Sequence, residues 1–555
     1  MDRMNIHFRP FEDMIYSRRP ASDHPVLGNY DLMAAIFFTF KGSKEGRTAL
    51  FRASLASRSF KDPALDALWV DLESYIPLLR LLPRVEGHDN IYYFEGDITN
   101  SKFLEYARRV KTIVIPPYKE KISYSNQVFT RLATQLRGRP MLPQLVRLRI
   151  EDVDTTGLCL FPLLASPTID AIEFCRESLS RPHLYRSVFP SMTTDLPGLK
   201  SVSLAHDTSS FNLGPKILSM LLEITTIQRL HFDLPGTYLN PDFLVEIGKR
   251  FKYLVELSLN ISFHSGSSCP RSEATDVQNG LFPAMTSLHL TVRDAASCHF
   301  KPGLGTLPVE LCPGFPPSFL SRLTSLTLYI PRRFASSSLV GLKEVFSQSP
   351  SLRRVELRQD DGADVHLSFE VVKSILSIPT ITEVILDISS LNLGFCWGGR
   401  ADSEISKLID AAYSSSRTAP LRKLIFPCAM DERFTFRLLK YISRKAMGLE
   451  HLSIPLDSSA WSLSKHWETD LVSTSTIRHL EISDTRWTES GLSFEEHDNI
   501  ARYLDRVCPN LMTLAPRVNS SGQGSNHQGS WKFIDRLRKK EKAIRIYGGP
   551  NVALY

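Results

Sequence analysis

The sequence predicts an α/β protein: a small helical bundle near the N-terminus, then a curved solenoid with a parallel sheet on its concave face. Three observations predict it. An apolar motif recurs along most of the chain, a proline recurs at a fixed place before that motif, and one N-terminal stretch spaces its apolar residues as helices do.

The motif is apolar-x-x-apolar-x-apolar. It stands clear at Leu145/Leu148/Ile150 and returns at Ile169/Ile172/Phe174, Leu199/Val202/Leu204, Ile227/Leu230/Phe232, Leu254/Leu257/Leu259 and Met285/Leu288/Leu290. It continues at Leu323/Leu326/Leu328, Leu352/Val355/Leu357, Ile381/Val384/Leu386, Leu421/Leu424/Phe426, Leu449/Leu452/Ile454 and Ile477/Leu480/Ile482. Leu511/Leu514 open a last copy that breaks at Pro516, and Val110/Ile113/Ile115 form an earlier one. First anchors lie 24 residues apart at the closest, Leu145 to Ile169, and 40 at the widest, Ile381 to Leu421. Most gaps sit at the upper end of the range of leucine-rich repeats, with room for one strand and one helix each.

With 43% apolar residues such a pattern also arises by chance. The proline decides the matter. It stands two residues before the first anchor at Pro143, Pro167, Pro197, Pro283, Pro350, Pro379 and Pro509. With 34 prolines in 555 residues, about one of thirteen copies would carry it by chance. Proline ends a helix and favours extended chain before it, which is what a helix-to-strand junction needs. Between the motifs, Ile500, Tyr503, Leu504 and Val507 recur at helical spacing, and Phe369, Val372, Ile375 and Leu376 do much the same. A strand and a helix per repeat stack into a solenoid over residues 109–516.

Alternation along each strand turns the anchors inward and the residues between them outward. His231, His289 and Glu356 belong to the outward row and are candidates for contact with a protein target. The two widest insertions, 291–322 and 387–420, add His299, Phe300, Phe315, Phe395, Trp397 and Arg400; Trp and Arg are common anchors of interfaces. Of these, Trp397 and Arg400 are the further target-binding candidates.

Residues 25–72 read differently. Asn29 or Asp31 caps a first helix carrying Leu32, Ile36, Phe37 and Phe40. A second helix carries Leu50, Leu55 and Phe60; Pro63 interrupts, and Ala64 to Trp69, with Leu65, make a third. A bundle of this size is small for independent stability, so a partner helix completing its core is expected. The stretch resembles an F-box: Ile36-Phe37 in the first helix, Leu55-Ala56-Ser57-Arg58-Ser59-Phe60 where the family has Leu-Val-Cys-Lys/Arg-x-Trp, and a closing Leu68-Trp69. Asn29 stands where the family opens with Pro, Ala56-Ser57 replace Val-Cys, and Phe60 replaces Trp. Together with Pro77-Leu78-Leu79-Arg80-Leu81-Leu82-Pro83, the segment resembles the large F-box families of mushroom-forming fungi, in which irregular leucine-rich repeats follow. The resemblance implies a substrate receptor that binds the Skp adaptor, and through it a cullin scaffold, by Leu32, Ile36, Phe37, Phe40, Leu50, Leu55, Phe60, Leu65 and Trp69. A repeat scaffold or regulator with no ubiquitin role is the alternative.

Other classes find little support. No phosphate-binding glycine loop, zinc-protease helix or nucleophile elbow occurs, so no catalytic residue, cofactor or metal is expected. The eight cysteines form no Cys-x-x-Cys pair. Net charge is +7, but 531–545 hold seven Lys/Arg against two acids, so the bulk is not a nucleic-acid surface. No apolar run suggests a signal peptide or a membrane span, and residence in cytoplasm and/or nucleus is expected. The expected division is an N-terminal tail to residue 24, the bundle, a connecting cap at 73–108, the solenoid, a flexible Gly/Ser/Asn-rich linker at 517–530 and a basic amphipathic segment at 531–555. That last segment either covers the end of the solenoid or serves as an import signal or acidic-partner patch.

Overall fold

The structure, a computed structural model, describes residues 25–547 except 84, 89–90, 100, 117–122, 152–154, 181–186, 207–214, 240, 264–280, 292–316, 331–341, 360–365, 389, 393–400, 414–416, 428–433, 459–473, 486–490 and 518–526. The tail before residue 25, both target candidates Trp397 and Arg400, and His299, Phe300, Phe315 and Phe395 lie outside the described residues. The chain divides into two units, Met1–Asp170 and Ala171–Tyr555.

The first unit opens with four helices: α1 (Pro25–Gly28), α2 (Tyr30–Phe38), α3 (Lys44–Ala56) and α4 (Arg58–Trp69). The Asn29 side chain caps α2 by accepting from the Leu32 amide at 3.2 Å, and Ser43 caps α3 by accepting from Gly46 at 2.9 Å. Met33, Phe37, Leu50, Ala64 and Ala67 form the bundle core. Phe60 closes it, its ring edge-on to Phe37 at 5.7 Å.

Two expectations here need correction. The second helix ends at Ala56, because Ser57 is extended (φ −150°, ψ 149°), and Phe60 belongs to α4. Pro63 does not interrupt; it lies inside α4, buried. The first turn of α4 is already closed by the Phe60 and Lys61 amides on the Ser57 carbonyl. Proline therefore removes only its own bond to the Ser59 carbonyl, and burial of its ring in the bundle offsets the loss.

The bundle runs directly into sheet. Strand Asp71–Leu72 pairs in parallel with Thr112–Ile115, which pairs with Arg147–Ile150 in register Ile113 to Leu148. The Val110 and Leu145 copies of the motif are these last two strands. The strand Asp71–Leu72 was not legible as a motif, since its preceding anchor position is Trp69, the last residue of a helix. A second small sheet pairs Val85–His88, Ile91–Phe94 and Ser123–Tyr124.

In the second unit the remaining twelve copies are twelve strands of a parallel sheet, from Ala171–Cys175 to Thr513–Pro516. Anchors stack on anchors: Leu257 faces Leu288, Leu326 faces Val355, and Leu452 faces Leu480. Those six side chains are at most 1% exposed. Helices such as Pro241–Arg250, Phe369–Leu376, Phe436–Lys445 and Phe494–Val507 connect the strands. A one-handed strand–helix repeat of this kind is the leucine-rich-repeat solenoid, with the parallel sheet on its concave face.

The residue after each first anchor carries a second regularity. The amides of Arg353, Thr382, Arg422, Glu450, Arg478 and Met512 donate to the carbonyls of Thr324, Arg353, Thr382, Arg422, Glu450 and Arg478 at 2.7–2.8 Å. This backbone ladder fixes the row where each strand begins at one inter-strand step per repeat.

Helix Gln528–Tyr547 closes the chain, so Gln528–Ser530 of the expected linker are helical; its residues 518–526 lie outside those described. The helix buries Trp531 and Ile534. Trp531 Nε1 donates to Asp484 Oδ2 at 2.9 Å, and buried Arg538 donates to the Leu511 carbonyl at 2.8 Å.

Candidate functional site

Helix α2 is apolar on two faces. Met33 and Phe37 point into the core, while Leu32 and Ile36, four residues apart, are 47% and 45% exposed. Helix α3 repeats the arrangement: Leu50 is buried, and Phe51 and Leu55, again four apart, are 43% and 49% exposed. Leu27, Tyr30 and Phe40 are exposed as well. Half of the large exposed apolar side chains among the described residues thus fall between Leu27 and Leu55. Scattered exposed leucines need no explanation, but two helical stripes on adjoining short helices do.

The structure sorts the residues expected to bind an adaptor. Leu32, Ile36, Phe40 and Leu55 are at the surface. Phe37, Leu50 and Leu65 are not available: each is buried in the bundle at 7% exposure or less. Phe60 is half-buried against Phe37, and half-buried Trp69 packs on Tyr106 at 4.6 Å between ring centres. These five hold the bundle together or fix it to the segment that follows. Phe51 was overlooked, although its spacing from Leu55 signals it.

Charge fixes the module in place. Arg109, which precedes strand Thr112–Ile115, pairs with Asp62 at 2.9 Å and with Asp66, both on α4. The Tyr30 hydroxyl donates to the same Asp66 carboxylate. That hydrogen bond, helped by burial, pushes the Tyr30 hydroxyl up to about 12. Lys41 with Asp71 at 3.0 Å and Arg47 with Glu73 at 2.9 Å add two surface bridges, each a minor contribution.

In the second unit, the outward row changes character along the sheet. His231 is exposed. His289 is half-buried, with Nε2 3.4 Å from Glu256 Oε1, and burial pushes its imidazole below its ordinary value despite that carboxylate. Glu356 is not an accessible contact: its side chain is 5% exposed and accepts from Arg354 at 2.9 Å and from Arg358. Burial works against its charge, but the two arginines hold its carboxyl below the usual carboxylate range. Further along, Ile385, Ile425 and Ser453 are buried. There Arg517, just past the last strand, reaches Asp387 Oδ1 at 2.7 Å, Ser453 Oγ at 3.1 Å and the Phe426 carbonyl. The C-terminal part of the row is therefore occupied by the chain itself.

The chain resembles a leucine-rich-repeat protein of known structure. It is LegL7 from Legionella pneumophila, at 11% identity over 71% of this chain and 97% of that one, with a TM-score of 0.31. No protein-family model and no curated protein matches the sequence. The solenoid assignment rests on the strand register described above. Among the described residues no group of three or more His, Cys, Asp or Glu is placed to hold a metal ion, and no helix is long and apolar enough to cross a membrane.

Proposed function

We propose that this chain is the substrate receptor of a Skp-cullin-F-box ubiquitin ligase, whose N-terminal helices dock the Skp adaptor and whose repeats hold a protein target. The supporting observation is the pair of stripes Leu32/Ile36 and Phe51/Leu55, kept in water on a bundle whose own core is already filled. These side chains are already about half covered, so a partner that buries the rest gains roughly 0.7–1.5 kcal/mol from each. The chain supplies proximity, bringing a target to an enzyme bound at the far end of the assembly. Such a receptor works in the cytoplasm and/or the nucleus.

The test uses the full chain. Ile36→Glu with Leu55→Glu should abolish co-purification with the Skp adaptor while the circular dichroism spectrum and thermal unfolding stay close to wild type. Adaptor binding that survives both charges would refute the docking site.

A second reading is a repeat scaffold without a ubiquitin role, in which the bundle serves only as the N-terminal cap of the solenoid. The pairing of Arg109 with Asp62 and Asp66, and of Trp69 with Tyr106, favours it. The same double variant separates the two, because a mere cap has no adaptor to lose.

A further inference from the structure

The row where the strands begin, tied by the backbone ladder, carries Arg353, Arg422 and Arg478. All three are exposed, and among the described residues none has a side-chain hydrogen bond or ion pair. Thr382 separates the first two and Glu450 the last two, so each arginine is two strands from the next. Neighbouring strands lie ~4.8 Å apart, which sets the arginines roughly 9.6 Å apart. Lys423, next in the chain to Arg422, opens the strand Lys423–Ile425, in register with Glu383 of the neighbouring strand. One strand beyond Arg478 the row ends in Met512, which is 60% exposed.

Surface arginines are usually solvated and mean nothing. These differ in two ways. Their backbone is hydrogen-bonded to both neighbours, so their spacing is a property of the fold and not of mobile loops. They are also charges of one sign on alternate strands, ending at an exposed methionine, a side chain that adapts to varied apolar partners.

We infer that this row binds an extended acidic peptide whose carboxylates recur every third residue, followed by an apolar residue that covers Met512. A polyproline II helix has three residues per turn and rises ~3.1 Å per residue, so every third side chain lies on one face at roughly 9.3 Å spacing. That matches the arginines. A β-strand does not match, because every third residue of a strand points to the opposite face. Glu450 repels a carboxylate placed midway between Arg422 and Arg478, which sets the register. Uniformly acidic segments therefore fit less well than spaced ones. This deepens the target-holding half of the function proposed above. Adaptor capture by the N-terminal helices is read out separately, so either can fail alone.

The experiment is fluorescence anisotropy on the full chain. One labelled peptide has about four Glu-Pro-Pro repeats and a terminal Leu; a second has the same composition with its glutamates in one block. The spaced peptide should bind at least about ten-fold tighter, a margin that is one decade in Kd, and weaken as salt rises. Arg353→Gln, Arg422→Gln and Arg478→Gln together should remove binding without changing thermal unfolding, since all three side chains lie in solvent. Glu450→Gln should tighten the blocked peptide and so narrow the difference between the two. Equal affinity for the two peptides, an unaffected triple variant, or no binding to either peptide overturns the inference. A single-stranded oligonucleotide bound more tightly than both peptides overturns it too, by assigning the row to nucleic acid.

Discussion

At the scale of single residues, the decisive quantity is what a side chain would meet if it changed. Gly46 opens α3 so close to the preceding turn that a Cβ would lie 1.8 Å from the Phe40 carbonyl oxygen. That obstacle is backbone, so Gly46→Ala must shift the α2–α3 turn, and it should cost at least about 2 kcal/mol, measurable as an earlier chemical unfolding of the N-terminal helices. Leu257→Ala or Leu452→Ala, in anchors wholly buried, should each cost ~2–5 kcal/mol by leaving a cavity. Glu356 gives a pH test. Its folded carboxyl sits below its unfolded value, held there by Arg354 and Arg358. Its stabilisation is therefore fully present above the unfolded value of about 4.3 and is lost as pH falls through the folded one. The stability gap between wild type and Glu356→Gln should shrink as pH is lowered from about 7 to about 3, and a gap constant across that range would show that the two arginines do not favour the charged form.

At the scale of elements, local preference and tertiary context compete. Pro63 reads as a break, yet the chain breaks six residues earlier, at Ser57, where no side chain is lost from the core. The C-terminal helix shows the reverse. Its alternation of Trp531, Phe533, Ile534, Leu537 and Ile544 with basic residues predicts a short amphipathic helix; the covered face lies against the last two strands through Trp531 and Arg538, and Phe533 falls outside it, 37% exposed. Arg538 is 1% exposed beside Asp505 and Asp535. Arg538→Ala removes a charge partner from Asp505 and Asp535, although Asp535 keeps Lys539 at 2.7 Å, and should cost roughly 3 kcal/mol. Removing residues 528–555 should lower the melting temperature and the soluble yield. A truncated chain that melts like the full one would mean that the helix only rests on the repeat.

At the scale of the whole molecule, the strands were legible because the motif combines two periods, alternation within a strand and recurrence between repeats, and proline marks where one gives way to the other. The division of the N-terminal helices between core and surface was not legible, because Ile36 and Phe37 are neighbouring apolar residues, and only packing against α4 decides which of them is covered. Glu356 was misjudged for a related reason: alternation sends it outward correctly, but Arg354 and Arg358 fold over it. Ile385 and Ile425 did carry a signal, since apolar residues at outward positions mark a face that something covers. The arginine row was not legible because the residue after the first anchor repeats no single type, Arg353, Thr382, Arg422, Glu450, Arg478 and Met512 in turn, and only the backbone ladder sets the arginines in line.

In most such arrays each repeat touches only its neighbours, and the end frays one unit at a time. Arg517 alters that expectation. From beyond the last strand it holds Asp387, at the end of the strand Glu383–Asp387, together with Ser453 and the carbonyl of Phe426 in between. Loss of the terminal strand therefore releases contacts in three earlier repeats at once. In native-state hydrogen exchange, the amides from residue 383 to the C-terminus should open as one cooperative block, while Arg517→Ala should dissolve that block into stepwise fraying from the end.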